Sequence, residues 1–260
     1  MAAAQNIGGE VLNLYKNLGE TPLERLERLR TQKPLYEREV LSYAGRLDPM
    51  AEGVMLCLVG AANKRRDQYL DLSKEYTVDV LFGASTDTYD ILGKVMNTGD
   101  AEAVTKASIE KALNEFRGKV DQEYPPFSSK PVDGKSLFEW ARSGALSAFS
   151  SPKKAIEVYD IELESMYKVN EVTLLNFIEG SVGKVVGDFR QDEILETWHR
   201  HLNPKNARSF KCVTLNISCS SGTYVRSIAH QLGQGLGVPA LALHILRTRV
   251  GDYTIEKSLK

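Results

Sequence analysis

Asp48 is the carboxylate of this 260-residue sequence whose neighbours best suit it to chemistry. It stands in the string Tyr43-Ala44-Gly45-Arg46-Leu47-Asp48-Pro49-Met50-Ala51-Glu52-Gly53, between two glycines that permit tight backbone geometry. Pro49 restricts Asp48 to extended conformations. The apolar run Val54 to Val59 behind it reads as a buried strand or helix that would anchor the loop. A lone carboxylate held this way suits nucleophilic or proton-transfer work. An isolated Asp-Pro is most often only a turn, so the rest of the chain has to decide. Arg226 falls one step off the apolar stripe Val225, Ile228, Ala229 and Leu232, near a helix start, and so can point into a cleft.

The elements that must position these residues are legible in outline. Val11 to Tyr15 reads as a strand, and Thr21-Pro22-Leu23-Glu24 is a capping box with proline at N1, opening a helix through about Arg30. Lys74 to Phe82 alternates, with Tyr76, Val78, Val80 and Phe82 on one face and Thr77 and Asp79 on the other. Ile109, Ala112, Leu113 and Phe116 predict an amphipathic helix over 104–117. Ile156 to Met166 and Val172 to Ile178 read as strands, and Val213, Leu215, Ile217 and Cys219 share one face of another. A helix follows Ser220-Ser221-Gly222-Thr223. Strands dominate without a βαβ rhythm, which predicts a mixed α+β fold. No repeat or linker divides residues 1–260, so a single domain is expected. It carries two excursions: 120–153, rich in Pro, Ser and Lys, and 179–209, polar and irregular.

Composition narrows the setting. Hydrophobic content of 42% and charged content of 26% are those of a globular protein. No apolar run approaches a membrane span, and the start MAAAQNIGGE lacks a secretory pattern. Cys57, Cys212 and Cys219 sit in apolar surroundings; Cys212 and Cys219, an odd number of residues apart on one strand, should face opposite sides. That spacing argues against a metal pair or a disulfide framework, and a reduced cytoplasm is expected. The four histidines have no acidic or cysteine partner at ligand spacing and receive no role. A net charge of −1 counts against a nucleic-acid binder. Local clusters soften the objection: Lys64-Arg65-Arg66, Lys130 with Lys135 and Arg142, Lys153-Lys154, and Arg247 with Arg249. Taken singly, each is most simply a solvated face.

The full string around Asp48 closely resembles the catalytic motif of pseudouridine synthases, and the rest of the chain resembles the TruB branch. Lys74-Glu75-Tyr76, followed by Gly83 to Asp90 (GASTDTYD) and Gly93, looks like that branch's Lys-x-Tyr strand and Gly-x-x-Thr-Asp-Thr-x-Asp loop. Tyr124 to Lys135 (YPPFSSKPVDGK) with Ala141-Arg142 resembles its RNA-gripping segment. Cys219 to Ser227 (CSSGTYVRS), with Leu232-Gly233 and Leu236-Gly237, resembles its third motif. Val11 to Thr21 matches the usual start, with Lys16, Gly19 and Thr21 in register. Five blocks in family order are far more specific than any one of them.

The resemblance implies a mainly antiparallel central sheet flanked by helices and a cofactor-free, metal-free isomerisation of uridine to pseudouridine in structured RNA. The expected substrate is uridine 55 in the T loop of tRNA, taken by a monomer that grips the T-arm stem-loop. The target base must first leave its stack and enter a pocket. Asp48 would then act on the ribose or base, by addition to the sugar or by assisting proton removal. Tyr76 would stack on the displaced uracil, and Arg226 beside Asp48 would keep the carboxylate ionised. Lys16, Lys130 and Arg142 suit phosphate contacts, and Leu246 is expected to line the uracil pocket. Tyr43 stands where the branch usually has a histidine that rearranges the RNA loop, and a tyrosine can still stack on a base.

Arg46, Glu52 and Gln231 also depart from the branch's pattern, the latter two from a Thr and an Asp. The sequence ends soon after Tyr253, so a short form without the C-terminal PUA domain of many relatives is expected. These departures bear on substrate choice more than on chemistry. A second reading is a non-catalytic RNA-binding or RNA-folding protein that retains the cleft; a decayed active site would mark it, and Asp48, Tyr76 and Arg226 are all present. A third is a hydrolase of nucleosides or sugars, which usually needs a second carboxylate. Asp87 and Asp90 could supply one, but the third motif and the gripping segment would then be unexplained.

Overall fold

A computed structural model describes residues 9–146, 150–202 and 208–260. The expectation that the start MAAAQNIGGE lacks a secretory pattern falls largely on residues 1–8, outside the described residues. The chain enters on β1 (Glu10–Lys16) and turns into α1 (Pro22–Gln32) through the expected capping box. Thr21 Oγ1 accepts from the Glu24 amide at 3.2 Å, and Glu24 Oε2 accepts from the Thr21 amide at 2.6 Å. β2 (Leu41–Ala44) and β3 (Ala51–Val59) flank the Asp48 loop, so the apolar run behind it is a strand. After the short α2 (Arg66–Leu70) comes β4 (Lys74–Phe82), and the small hairpin of β5 (Ala84–Thr86) and β6 (Val95–Thr98) encloses the Asp87–Asp90 turn. α3 (Lys106–Leu113) is shorter than the periodicity predicts, because its last turn tightens into a 3₁₀ segment over Asn114–Phe116.

The first excursion leaves the sheet after β7 (Gly118–Glu123). It carries the two-residue strands β8 (Pro131–Val132) and β9 (Lys135–Ser136), then α4 (Leu137–Arg142). β10 (Lys153–Asn170) returns to the sheet. Two helices follow, α5 (Glu171–Val182) and α6 (Gln191–His201), before β11 (Ser209–Cys219), α7 (Val225–Gly235), β12 (Ala240–Val250) and β13 (Tyr253–Thr254).

The main sheet runs β1-β3-β12-β4-β11-β10-β7, with β2 on β3 and β13 on β12. Its pairings are antiparallel except for β3 with β12, which makes the sheet mixed and mainly antiparallel, as expected. α3 and α7 cover one face through Ile109, Ile228 and Leu232, which pack on Val78, Val80 and Leu215. The other face is closed by α5 and α6, whose Leu174, Ile178, Ile194 and Trp198 pack on Leu81, Phe210 and Cys212. Cys212 and Cys219 belong to these two different layers, as their spacing requires.

Two expectations are corrected here. Val172 to Ile178 is helix, not strand. Asn170 Oδ1 caps it by accepting from the Thr173 amide at 2.8 Å, and Leu174, Leu175, Ile178 and Val182 form its buried stripe. β-branched Val172, Thr173 and Ile178 mimic a strand, but burial at helical spacing decides; each fully buried Leu or Ile contributes ~2 kcal/mol. The segment 179–209 is likewise not irregular over its described part, since α6 buries Trp198 completely.

The parallel pairing of β3 with β12 places a strict demand on Gly53. It pairs with Arg247 at φ +107°, and a Cβ there would lie 2.2 Å from the Arg247 carbonyl oxygen. Gly53→Ala is therefore expected to cost about 3 kcal/mol or more, read as a lowered urea midpoint. A wild-type midpoint would show that β3 and β12 do not meet this closely.

Candidate active site

Asp48 sits at the turn between β2 and β3, in a cleft of about 770 Å³. The loop is pinned from both sides. Its backbone turns back on itself where the Ala51 amide donates to the Asp48 carbonyl at 3.0 Å. Arg247 of β12, only 1% exposed, donates Nε to Val54 O at 2.7 Å and its two terminal nitrogens to the carbonyls of Gly45 and Arg46 at 3.3 Å each. The sequence places Arg247 in a surface cluster with Arg249; it is instead a buried brace for the Asp48 loop.

Arg226 comes from the first turn of α7 and is 3% exposed. Its Nε donates to Asp48 Oδ2 at 2.8 Å, Nη1 to the Thr88 carbonyl at 2.6 Å and Nη2 to the Phe127 carbonyl at 2.7 Å. Each guanidinium nitrogen has an acceptor, which makes its burial tolerable. Burial alone would lower its pKa, but the Asp48 and Asp90 carboxylates prevail and the net shift is upward. The Asp48 side chain keeps 28% of its exposure, and among the described residues its Oδ1 takes no hydrogen bond. One carboxylate oxygen is thus fixed by a permanent cation while the other faces the cleft.

Tyr76 projects from β4 into the same cleft and is 8% exposed. Burial pushes its hydroxyl up to about 12, with Arg247 pulling the other way, so it remains a neutral phenol at working pH. Asp90 lies in the wall. Burial raises its pKa to about 6 against the pull of Arg226, and its Oδ1 accepts from Thr88 Oγ1 at 2.7 Å and the Leu92 amide at 2.9 Å. Asp87 is occupied elsewhere, paired with Arg190 at 2.7 Å. Both candidates for the second carboxylate of a hydrolase are therefore engaged, Asp90 within its own loop and Asp87 with Arg190.

The expected substrate-binding residues divide. Tyr43 lines the cleft, as does Arg142 of α4, which pairs with Asp188 at 3.3 Å. Lys130 is half-buried outside the cleft, its ammonium 5.4 Å from the Tyr124 ring. Leu246 does not line the cleft; Ile245 does, because neighbouring strand residues face opposite sides. Lys16 is fully buried and donates to the carbonyls of Asn17 at 3.0 Å and Glu20 at 2.5 Å, so it holds the turn before α1 instead of reaching a phosphate.

Burial brings the Lys16 pKa down from 10.5 to about 7. Between those values the unfolded chain binds the extra proton, so stability rises with pH across that window. Wild type should therefore gain on Lys16→Met in urea midpoint from pH 7 to about 9.5. A difference that does not change with pH would refute the burial. Two histidines also acquire acidic partners that spacing did not reveal: His244 lies 2.8 Å from Glu52 and His199 lies 2.6 Å from Glu179, neither lining the cleft. Sequence reasoning also missed Arg190 and Phe127, which line the cleft from two different excursions.

Comparison with known proteins gives the class first. Residues 33–180 match the family model described as TruB family pseudouridylate synthase (N terminal domain). The tRNA pseudouridine synthase B of Bacillus subtilis (strain 168) is 30% identical over 248 residues, covering 95% of this chain and 67% of that protein. The tRNA pseudouridine synthase B of Bacteroides thetaiotaomicron is 29% identical over 255 residues, covering 96% of this chain and 89% of that protein. This chain belongs to the TruB family of pseudouridylate synthases. The fold is shared with a chain in a crystal structure of a Cbf5–Nop10–Gar1 complex, at a TM-score of 0.56 and 21% identity over 94% of this chain and 49% of that one. The chain thus spans about half the length of that structural neighbour. No helix among the described residues is long and apolar enough to cross a membrane.

Proposed function

We propose that this chain isomerises uridine to pseudouridine in tRNA, at the T-loop uridine usually numbered 55. The observation that carries the reading is the Asp48 carboxylate, held by buried Arg226 at 2.8 Å with one oxygen open to the cleft. The cleft lies within the ~300–1,000 Å³ range of small-ligand pockets and accepts a single extruded base. Asp48 acts on the ribose as the C1′–N1 bond breaks. The enclosed uracil turns and rejoins through C5; the C5 proton leaves and N1 takes one up, so the product has the substrate's composition. Tyr76 stacks on the displaced base, with Ile245 beside it. Tyr43 stacks on an RNA base at the rim, and Arg142 and Lys130 meet the backbone of the T arm. Residues 1–260 work as one catalytic unit, as a monomer, in the cytoplasm.

The test is incubation with unmodified tRNA transcripts followed by carbodiimide primer-extension mapping. A stop at one T-loop position is expected. Tight binding without any stop would instead favour an RNA-folding role for the same cleft.

A further inference from the structure

Among its described residues, the helical insertion between β10 and β11 reaches the cleft at one point, the turn ahead of α6 that carries Asp188, Phe189 and Arg190. The turn is firmly based. α6 is anchored by buried Ile194 and Trp198, and Gln191 Nε2 ties its start back to the carbonyls of Val185 at 3.1 Å and Gly187 at 2.7 Å. Arg190 itself takes a left-handed conformation, φ +67° and ψ +30°, which residues with a Cβ rarely adopt. Such a conformation persists where the surroundings hold it, and it often marks a functional position.

What holds Arg190 is specific. Nη1 donates to Asp87 Oδ2 at 2.7 Å and Nη2 to Asp87 Oδ1 at 3.4 Å, a forked pair with side-chain exposures of only 13% and 17%. The same guanidinium lies over the Phe127 ring, 4.1 Å from its centre. Asp87 directly precedes Thr88, and Thr88 and Phe127 are the residues whose carbonyls receive the two terminal nitrogens of Arg226. Arg190 thus grips both backbone segments that orient Arg226, without lying within hydrogen-bond distance of Asp48 itself. Two arginines from different elements bracket the same pair of segments, one from α7 and one from the insertion.

We propose that Arg190 is a positioning residue for the isomerisation: it clamps the Asp87–Thr88 turn and the Phe127 segment so that Arg226 presents Asp48 correctly. This gives the insertion a role in turnover, and it rests on the function proposed above. The clamp joins parts far apart in sequence, residues 87, 127 and 190, around a cleft that must admit a base. A planar, forked cation suits the task, since it pairs with a carboxylate edge-on while stacking face-on upon a ring. A lysine can do only part of this.

The experiment compares wild type, Arg190→Met and Arg190→Lys on an unmodified tRNA transcript. It measures the single-turnover rate of pseudouridine formation and, separately, the tRNA Kd by filter binding. The expected result is a rate at least ~10-fold lower for Arg190→Met, consistent with the loss of catalytic geometry when a supporting group is removed, with Kd within twofold and Arg190→Lys in between. A wild-type rate for Arg190→Met overturns the proposal. So does a rise in Kd that accounts for the whole loss at saturating enzyme, since Arg190 would then be an RNA contact. If Arg190→Met fails to fold, as judged by circular dichroism, Arg190→Lys decides alone: a slower rate at unchanged Kd supports the clamp and a wild-type rate refutes it. An inactive wild type would refute the proposed function, a result distinct from any of these.

Discussion

Asp48→Asn is expected to lower pseudouridine formation by about 10⁴-fold or more, the scale seen when a group that acts directly on the reacting atoms is removed. The substitution keeps the shape of the side chain and leaves one amide oxygen for Arg226 Nε, so the loop braced by Arg247 should fold unchanged. What disappears is the charge on the oxygen that faces the cleft. A neutral amide is a poor nucleophile and a poor proton acceptor. The tRNA Kd should stay near that of wild type, because the role proposed for Asp48 is chemical and involves no phosphate contact. A variant that retains more than a tenth of the wild-type rate would show that another group does the work.

Arg226→Met is expected to have the second-largest effect, and to differ from the first in touching stability as well. Removing one partner of a buried ion pair costs about 3–5 kcal/mol, because the charge left behind loses its compensation. Here the loss also strips the carbonyls of Thr88 and Phe127 of their donors. Asp48 is partly exposed, which allows water to replace some of what is lost and places the expected cost at the lower end, about 3 kcal/mol. Urea denaturation should show this drop, and turnover should fall with it. The Asp48→Asn/Arg226→Met double variant should be less destabilised than the sum of the two singles, since the uncompensated carboxylate is then absent. Strict additivity would mean that the two side chains do not interact in solution.

The parts of this site that were legible in the sequence are those written within one element. Asp48 announced itself through its glycines and proline, Tyr76 through the alternation of its strand, and Arg226 through its offset from a helical stripe. Each needs only a local period and a motif to be placed. The misplaced residues depend on contacts between distant elements. Lys16 and Arg247 carry surface-type side chains, and only the crossing of β1, β3 and β12 puts them inside with carbonyl partners. Leu246 and Ile245 are separated by a single step of strand register, with bulges on either side of them in the β4 pairing, so a count along the sequence could choose the wrong one.

The α5–α6 insertion failed for another reason. Its residues have ambivalent propensities, and the deciding term was burial against a sheet face that sequence alone does not show to be open. Arg190, in consequence, was invisible as part of the cleft. Its partners Asp87 and Phe127 lie in two motifs read separately, and nothing along the chain joins them.

The most direct test follows the one bond to hydrogen that isomerisation must break. A tRNA transcript carrying tritium at C5 of its uridines is incubated with wild type and with Asp48→Asn at concentrations that saturate binding. Wild type is predicted to release the tritium of a single uridine per tRNA into water, and Asp48→Asn to release none above background. Release by the variant at the wild-type rate, or retention of all label by a wild-type protein that binds the RNA, would contradict the account.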